Sequence, residues 1–211
     1  MAQSALLDPR PRRTQAERRD ESARGLLRAA TEVIAERGVT AATFDAIGLR
    51  AGYSRGLATQ KFGSKQGLIE ALIAHLHARQ DEVLGAHGVD AMPGLEAILT
   101  YVDLYLRALE QRDDNRAYFM LLASAIADLS ALRTAFAASH ERVEQRLEAM
   151  VLRGQAQGAI RRDLDADAAA LMVGSLLLGL SIQCLIDPDM ELAPIRATSL
   201  ATLRLSFAAT P

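Results

Sequence analysis

Residues 43–65 read TFDAIGLRAGYSRGLATQKFGSK, and this stretch decides the fold. Thr43 is placed to cap a helix over Phe44–Ala51, because its hydroxyl oxygen can accept from the free amides of the first turn. Phe44, Ile47 and Ala51 recur on one face at helical spacing, and Gly52 supplies the stop. Ser54 opens a second short helix, Arg55–Phe62, with Leu57 or Ala58 and Phe62 turned inward. Gly63 ends it, and Ser64 caps a longer helix carrying Leu68, Ile69, Leu72, Ile73 and Leu76. Two short helices joined through residues 52–54 and flanked by longer supports have the spacing of a helix-turn-helix.

Working outward, Thr14-Gln15-Ala16-Glu17 has the form of a capping box. A helix over 14–37 follows from it, with Leu26, Leu27, Ala30, Val33 and Ile34 as its apolar stripe and Gly38 as its stop. Residues 1–13, with Pro9, Pro11, Arg10, Arg12 and Arg13, read as a flexible basic arm. Such an arm could follow a groove beside the main contact, although a solvated tail is the simpler expectation. Downstream, Gly85, Gly88, Pro93 and Gly94 mark a loop. Helical stretches are expected at 95–111, 114–128, 130–157, 166–186 and 191–208. Their breaks fall at Asp113-Asp114, at Gly158 and at Asp187-Pro188-Asp189. The expected organisation is an arm over 1–13, a three-helix head over 14–84 and a second helical unit over 85–211.

Composition agrees. The 211 residues include 39 Ala and 32 Leu against 18 Val plus Ile, which favours helices over strands and gives an all-α expectation. A single cysteine excludes an internal disulfide and fits a reducing cytoplasm. The first residues hold no long apolar run after a basic segment and do not read as a signal peptide. The formal charge of −2 hides an asymmetry. Residues 1–80 hold 13 Lys+Arg against 8 Asp+Glu, and residues 81–211 hold 11 against 18. A basic first third on an acidic remainder points to a polyanion met by the N-terminal part, with chance clustering on solvated helix faces as the plain alternative.

Residues 168–186 carry no charged side chain. That length could span a bilayer. However, Gly174, Ser175, Gly179, Ser181 and Gln183 interrupt it, and Asp rather than Lys or Arg flanks it. A helix apolar all round must be buried all round. In so small a chain that favours burial partly against a second copy.

The stretch 24–76 resembles the TetR family of bacterial transcriptional regulators. The matching residues are Ala29-Ala30, Gly38, Thr43 with Ile47, Ala51-Gly52-Tyr53-Ser54-Arg55-Gly56, Phe62-Gly63-Ser64-Lys65, and Leu68. The remainder fits the family in outline, and Gly158-Ala159-Ile160 followed by Asp165 looks like the family's turn before the penultimate helix. The resemblance implies a repressor whose second domain takes a small molecule in a cavity and thereby changes the separation of two DNA-binding heads. There are departures. Thr59 stands where the family usually has Tyr in the recognition helix, Lys61 where His or Tyr often precedes the Phe, and Gly48 in place of a common Ala. A Tyr–phosphate contact is therefore missing, and Lys61 would compensate as a point charge.

The residues themselves point the same way. A recognition helix presents its N-terminal residues to base edges; here those are Ser54, Arg55, Gly56, Thr59 and Gln60. Arg55 suits guanine and Gln60 suits adenine, each pair worth about 1–3 kcal/mol of discrimination. Gly56 lets the backbone approach closely. Thr43, Ser54 and Lys65 lie at helix N-termini, where free amides and the dipole attract phosphate, although ordinary capping accounts for the hydroxyls equally well. Two copies would read successive major grooves of a near-palindromic duplex, joined through 166–186 and 191–208 in a four-helix arrangement. Tyr101, Tyr105, Tyr118, Phe119, Met120, Met172 and Gln183 are candidates for an effector cavity, with an apolar or weakly polar ligand expected and plain core as the alternative.

Other motifs carry less. Gly52-Tyr53-Ser54-Arg55-Gly56 matches the nucleophile elbow of hydrolases, but that elbow needs a strand before the serine. His75 and His77 are two residues apart on a helix and face different ways, so no metal site is expected. Cys184 reads as a small core residue. No catalytic residue and no cofactor are expected. The alternative retained is a small-molecule-binding relative whose DNA recognition is lost or altered.

Overall fold

The computed structural model describes residues 14–110, 113–127 and 132–209. The expected arm over 1–13 and residues 111–112, 128–131 and 210–211 lie outside the described residues. Nine α-helices run through the rest: α1 Gln15–Arg37, α2 Phe44–Ala51, α3 Arg55–Phe62, α4 Lys65–Ala86, α5 Gly94–Ala108, α6 Asp113–Ala127, α7 Leu132–Ala156, α8 Ala166–Ile186 and α9 Leu192–Phe207. Among the described residues the only β-type pairing is an isolated antiparallel bridge between Ile160 and Ala208. The fold is all-α, a helix-turn-helix head followed by a helical second unit.

Local chemistry explains the starts. Thr14 Oγ1 accepts from Glu17 N at 3.2 Å, and Glu17 Oε2 accepts from Thr14 N at 2.7 Å, which closes the capping box. Thr43, Ser54 and Ser64 accept from the amides of Ala46, Leu57 and Gly67 at 3.2, 3.2 and 3.0 Å. Asp165 does the same for Ala168 at 2.9 Å. Each such cap stabilises its helix by about 1 kcal/mol. Gly52 ends α2 in the left-handed region, with φ 73°, where a side chain would be strained. That conformation turns the chain sharply enough to start α3 three residues later.

Two apolar clusters hold the molecule. The first joins Leu26, Ala30 and Ile34 of α1 to Ile47 of α2, Ala58 of α3 and Leu68 and Leu72 of α4. It continues into Phe119, Leu121 and Leu122 of α6 and Phe136 of α7, so α6 and the first turn of α7 complete the core of the head. The second gathers α5, the rest of α7, α8 and α9 around Tyr101, Leu106, Leu147, Val173 and Phe207. α4 feeds both, through Leu72 at one end and Leu84 at the other. Burying each large side chain contributes about 1.5–3 kcal/mol. Gly94 lies so close to the backbone of Gly154 that neither a methyl group nor anything larger would fit, which lets α5 meet α7 at close range.

The outer side of α8 departs from all-round burial by the chain itself. Ala169, Ala170, Val173, Leu177 and Ser181 are buried. Met172, Ile182 and Ile186 are exposed on the opposite side, together with Gly179, whereas the exposed Leu171 and Ser175 line a cavity. α9 exposes an uncharged face of Pro194, Ala197, Thr198, Ala201, Thr202 and Leu205.

Candidate nucleic-acid interface and effector cavity

The short helix α3 is anchored by one fully buried residue, Ala58, with Leu57 and Phe62 half-buried beside it. Its other face is open. Ser54, Arg55, Gly56, Thr59 and Gln60 are all exposed, as are Thr43 and Lys65 at the neighbouring helix starts. The sequence-predicted contact residues therefore gather on one surface, the N-terminal face of α3 flanked by two helix N-termini.

Two of the basic groups are already engaged. Arg55 Nη1 lies 3.3 Å from Asp45 Oδ2 in the first turn of α2. Lys65 Nζ donates to the Val39 carbonyl at 3.1 Å; both pairs are at the surface. Lys61 differs: it is half-buried and its Nζ donates to the Arg19 carbonyl at 2.7 Å. It ties α3 to α1 rather than projecting from the open face, because its place on the helix faces α1. Ser54, the would-be nucleophile, follows a helix and a turn, and its Oγ is taken up as the cap of α3. No strand precedes it.

Behind this surface, Arg50 of α2 clamps α1. Its Nη1 donates to Glu36 Oε1 at 2.9 Å and to Glu32 Oε2 at 3.1 Å, and its Nη2 pairs with Glu36 Oε2 at 2.5 Å. The hydrogen bond from Arg50 holds the Glu36 carboxyl below its usual range. Glu32 and Glu36 lie four residues apart on α1 and were not singled out from sequence. Their partner lies 14 to 18 residues away.

A cavity of about 540 Å³ lies between α1, α4, α5, α6, α7 and α8. Tyr101, Tyr105, Tyr118 and Phe119 line it. Gln80 Nε2 donates to the Tyr101 hydroxyl at 3.1 Å, and the Tyr105 hydroxyl lies 2.9 Å from Ser181 Oγ. Burial raises both phenols, that of Tyr105 to about 12. Tyr118 meets the rings of His77, Phe119 and Phe136 edge-on at 5.3 Å. Desolvation lowers the affinity of His77 and His140 for protons, so the imidazoles in the wall are neutral near pH 7.

Three of the predicted lining residues fall outside. Met120 packs towards Gly38 on the head side of α6, and Met172 and Gln183 are exposed on the outer side of α8. The reason is helical phase. With 100° per residue, Met172 and Gln183 lie roughly opposite Ala170, Gly174 and Leu177, which do line the cavity. Composition marked these residues as suitable, and only the neighbouring helices select the face. The wall also holds charged groups that were not foreseen: Arg28, Glu32, Arg79, Asp113, Asp114 and Glu144. Arg79 and Asp114 pair at 2.5 Å. Among the described residues, no group of three or more His, Cys, Asp or Glu is placed to hold a metal ion.

Residues 26–72 match the family described as bacterial regulatory proteins, tetR family, and residues 94–206 match the C-terminal domain described as a BetI-type transcriptional repressor. No curated protein sequence matches the chain. Among solved structures, the triclosan complex of SmeT, from Stenotrophomonas maltophilia, superposes with a TM-score of 0.75 at 23% identity, covering 89% of this chain and 92% of that one. NalD, a repressor of a multidrug efflux pump in Pseudomonas aeruginosa, gives 0.68 at 18% identity, covering 91% and 98%. A TetR-like regulator from Rhodococcus sp. RHA1 gives 0.66 at 20% identity, covering 92% and 97%. At these identities the likeness is one of fold.

Proposed function

The chain belongs to the TetR family of bacterial regulatory proteins, and on that premise we propose that it is a homodimeric transcriptional repressor. A small molecule entering the cavity between α4 and α8 releases it from a near-palindromic operator. The observation that carries this reading is the open N-terminal face of α3, where Ser54, Arg55, Thr59 and Gln60 are left exposed between two helix N-termini. Arg55 is held only by an exposed ion pair with Asp45, Gln60 is exposed, and both suit base edges.

The parts divide accordingly. Residues 14–84 read DNA and 85–211 dimerise and sense, with the arm over 1–13 as an accessory to the head. The protein works in the bacterial cytoplasm, on the nucleoid. The uncharged outer faces of α8 and α9 are the contact between copies, forming a four-helix seam across a two-fold axis. The pair then presents two α3 helices to major grooves about 34–36 Å apart or a multiple of that. The aromatic wall of Tyr101, Tyr105, Tyr118 and Phe119 supports an organic effector of largely apolar body; SmeT, similar in fold, is known in complex with triclosan. The effector acts by binding one head separation better than the other.

The test is selection of bound duplexes from a random pool, repeated with candidate compounds present. A two-fold-related consensus whose recovery falls with one compound class is expected, with log affinity falling linearly against log salt. Failure to enrich any duplex at low salt would instead favour a ligand-binding protein with lost DNA recognition. That second reading draws support from Thr59 and from the engagement of Lys61 with α1.

A further inference from the structure

The turn between the two short helices is seated on two glycines. Gly48 is buried in α2, and its carbonyl accepts from Tyr53 N at 2.8 Å. A β-carbon there would lie 2.8 Å from the Tyr53 carbonyl oxygen, 3.2 Å from the Ser54 carbonyl carbon and 3.3 Å from the Arg55 nitrogen. Gly25 of α1 lies against the ring of the same tyrosine, and a β-carbon at that position would be 3.3 Å from Tyr53 Cε2. We infer that Gly48 and Gly25 are positioning residues for DNA reading. Neither lies on the open face of α3; acting through Tyr53, they fix where the first turn of that helix stands. The inference rests on the reading of α3 as the recognition helix and adds the residues that set its pose.

Packing argues that the seat is exacting. Non-bonded heavy atoms settle at about 3.5–4.0 Å, so a methyl group at position 48 must push α2 and the turn apart. The atoms it would meet are all backbone, and backbone cannot swing aside as the end of a side chain can. Tyr53 is not free to absorb the movement either. Its side chain is half-buried, packed on the head cluster and held against α1 at Gly25. Close-packed interiors pass such strain on, and here the next segment is the start of α3. Ser54, Arg55 and the free amides of the first turn would move together. Arg55 can re-aim its long side chain, whereas the amides cannot.

What the seat sets is the spacing between two helix starts, Thr43 at α2 and Ser54 at α3. Phosphate contacts at such starts fix the register in which side chains meet base edges. The Asp45–Arg55 pair, at 3.3 Å, bridges the same two helices. Gly48 is also one of the positions at which the chain departs from the family pattern, alanine being common there. The approach of α2 to the turn is thus closer than alanine permits. A displaced α3 would misfit the preferred duplex, while attachment to duplex of any sequence, which rests on charge, would be spared.

The experiment uses the full chain, its selected duplex and a shuffled duplex of the same length. Affinities are read by fluorescence anisotropy and folding by thermal melts. G48A is expected to melt cooperatively, alanine being the better helix former. It should lose about 10-fold on the selected duplex, the worth of one base contact, while its affinity for the shuffled duplex and its salt slope stay native. Selection repeated with G48A should return an altered preference at the base pair read by Arg55. G25A and Y53V test the same seat from the α1 side. Each should cost discrimination, and the double variant should cost less than their sum, because valine, lacking the ring, makes room for the new methyl group. Native discrimination in G48A, equal loss on both duplexes, or additive losses in G25A and Y53V would each overturn the proposal. Should G48A fail to melt cooperatively, the G25A and Y53V cycle alone decides it. Any of these results leaves the regulator reading standing, whereas a native chain that enriches no duplex would overturn that reading itself.

Discussion

Asp45, in the first turn of α2, holds the guanidinium of Arg55, in the first turn of α3, at 3.3 Å. The two side chains are 66% and 69% exposed, so water screens the pair and its contribution is small. A base edge or phosphate can therefore displace Asp45. The pair keeps Arg55 near the surface where it would read DNA, at little energetic cost. Arg55→Ala is expected to cost about 1–3 kcal/mol on the preferred duplex and to relax preference at one base pair per half-site. Binding to a panel of single-substituted duplexes checks this, and an equal loss on every duplex would argue against base reading. Asp45→Asn should tighten binding to all duplexes, because it removes a negative charge from the surface proposed to meet phosphates.

Lys65 and Lys61 should behave differently from Arg55 and from each other. Lys65→Ala is expected to weaken all duplexes alike and to lower the salt slope by about one. Lys61→Met removes the bond to the Arg19 carbonyl and should instead lower head stability by about 1 kcal/mol. Thermal melts and salt titrations of the two variants separate these roles, and a reduced salt slope in Lys61→Met would reassign it to DNA.

Gly174 faces the cavity with open space where a side chain would begin. Gly174→Leu starts its side chain in open space and should extend it into the site. Removing a glycine from mid-helix also favours α8 by about 0.5–1 kcal/mol. The variant is expected to melt no lower than the native chain, to bind duplex, and to be insensitive to any compound that releases the native chain. A retained response in anisotropy would place the effector elsewhere.

Ile186 is 72% exposed and Leu205 86% exposed on the outer sides of α8 and α9. In a dimer joined there, charges at both positions would be buried without partners. The double variant Ile186→Glu, Leu205→Glu should raise the dimer dissociation constant by more than about 30-fold, as loss of a hot spot does. Sedimentation velocity across a concentration series reads this directly; an unchanged distribution would move the interface to another face.

Burial holds His75, His77 and His140 below the ordinary imidazole value. The unfolded chain takes up protons near its ordinary value while the folded chain resists them. The stability these groups contribute is therefore present above about pH 6.5 and is lost as pH falls through the lower, folded values. Melting temperature should drop between about pH 7.5 and pH 5, and the fall should be shallower in His77→Gln. A flat profile in the native chain would show that these rings protonate without strain.

Much of this was legible in single residues. Thr14, Thr43, Ser54 and Ser64 each open the helix that their sequence context predicts, because a cap satisfies amides only two or three residues away. Leu26, Ala30, Val33 and Ile34 are buried as their spacing requires. The open face of α3 followed from which positions the apolar residues left over. The cavity was only half legible. Tyr101, Tyr105, Tyr118 and Phe119 line it, whereas Met120, Met172 and Gln183 turn away. Residue type signals an apolar environment but not whether that environment is core, cavity or dimer face.

The sequence by itself determined the helices, their ends, the helix-turn-helix and the polar residues left on the open face of α3, since all of these depend on interactions within about one helical turn. Tertiary structure alone decided that α6 completes the head, that Arg50 reaches Glu32 and Glu36, that Lys61 is spent on α1, and that a charged rim edges an aromatic cavity. Those outcomes hang on which helix faces meet across long stretches of chain. Local spacing carries no record of a partner fourteen or forty-two residues away.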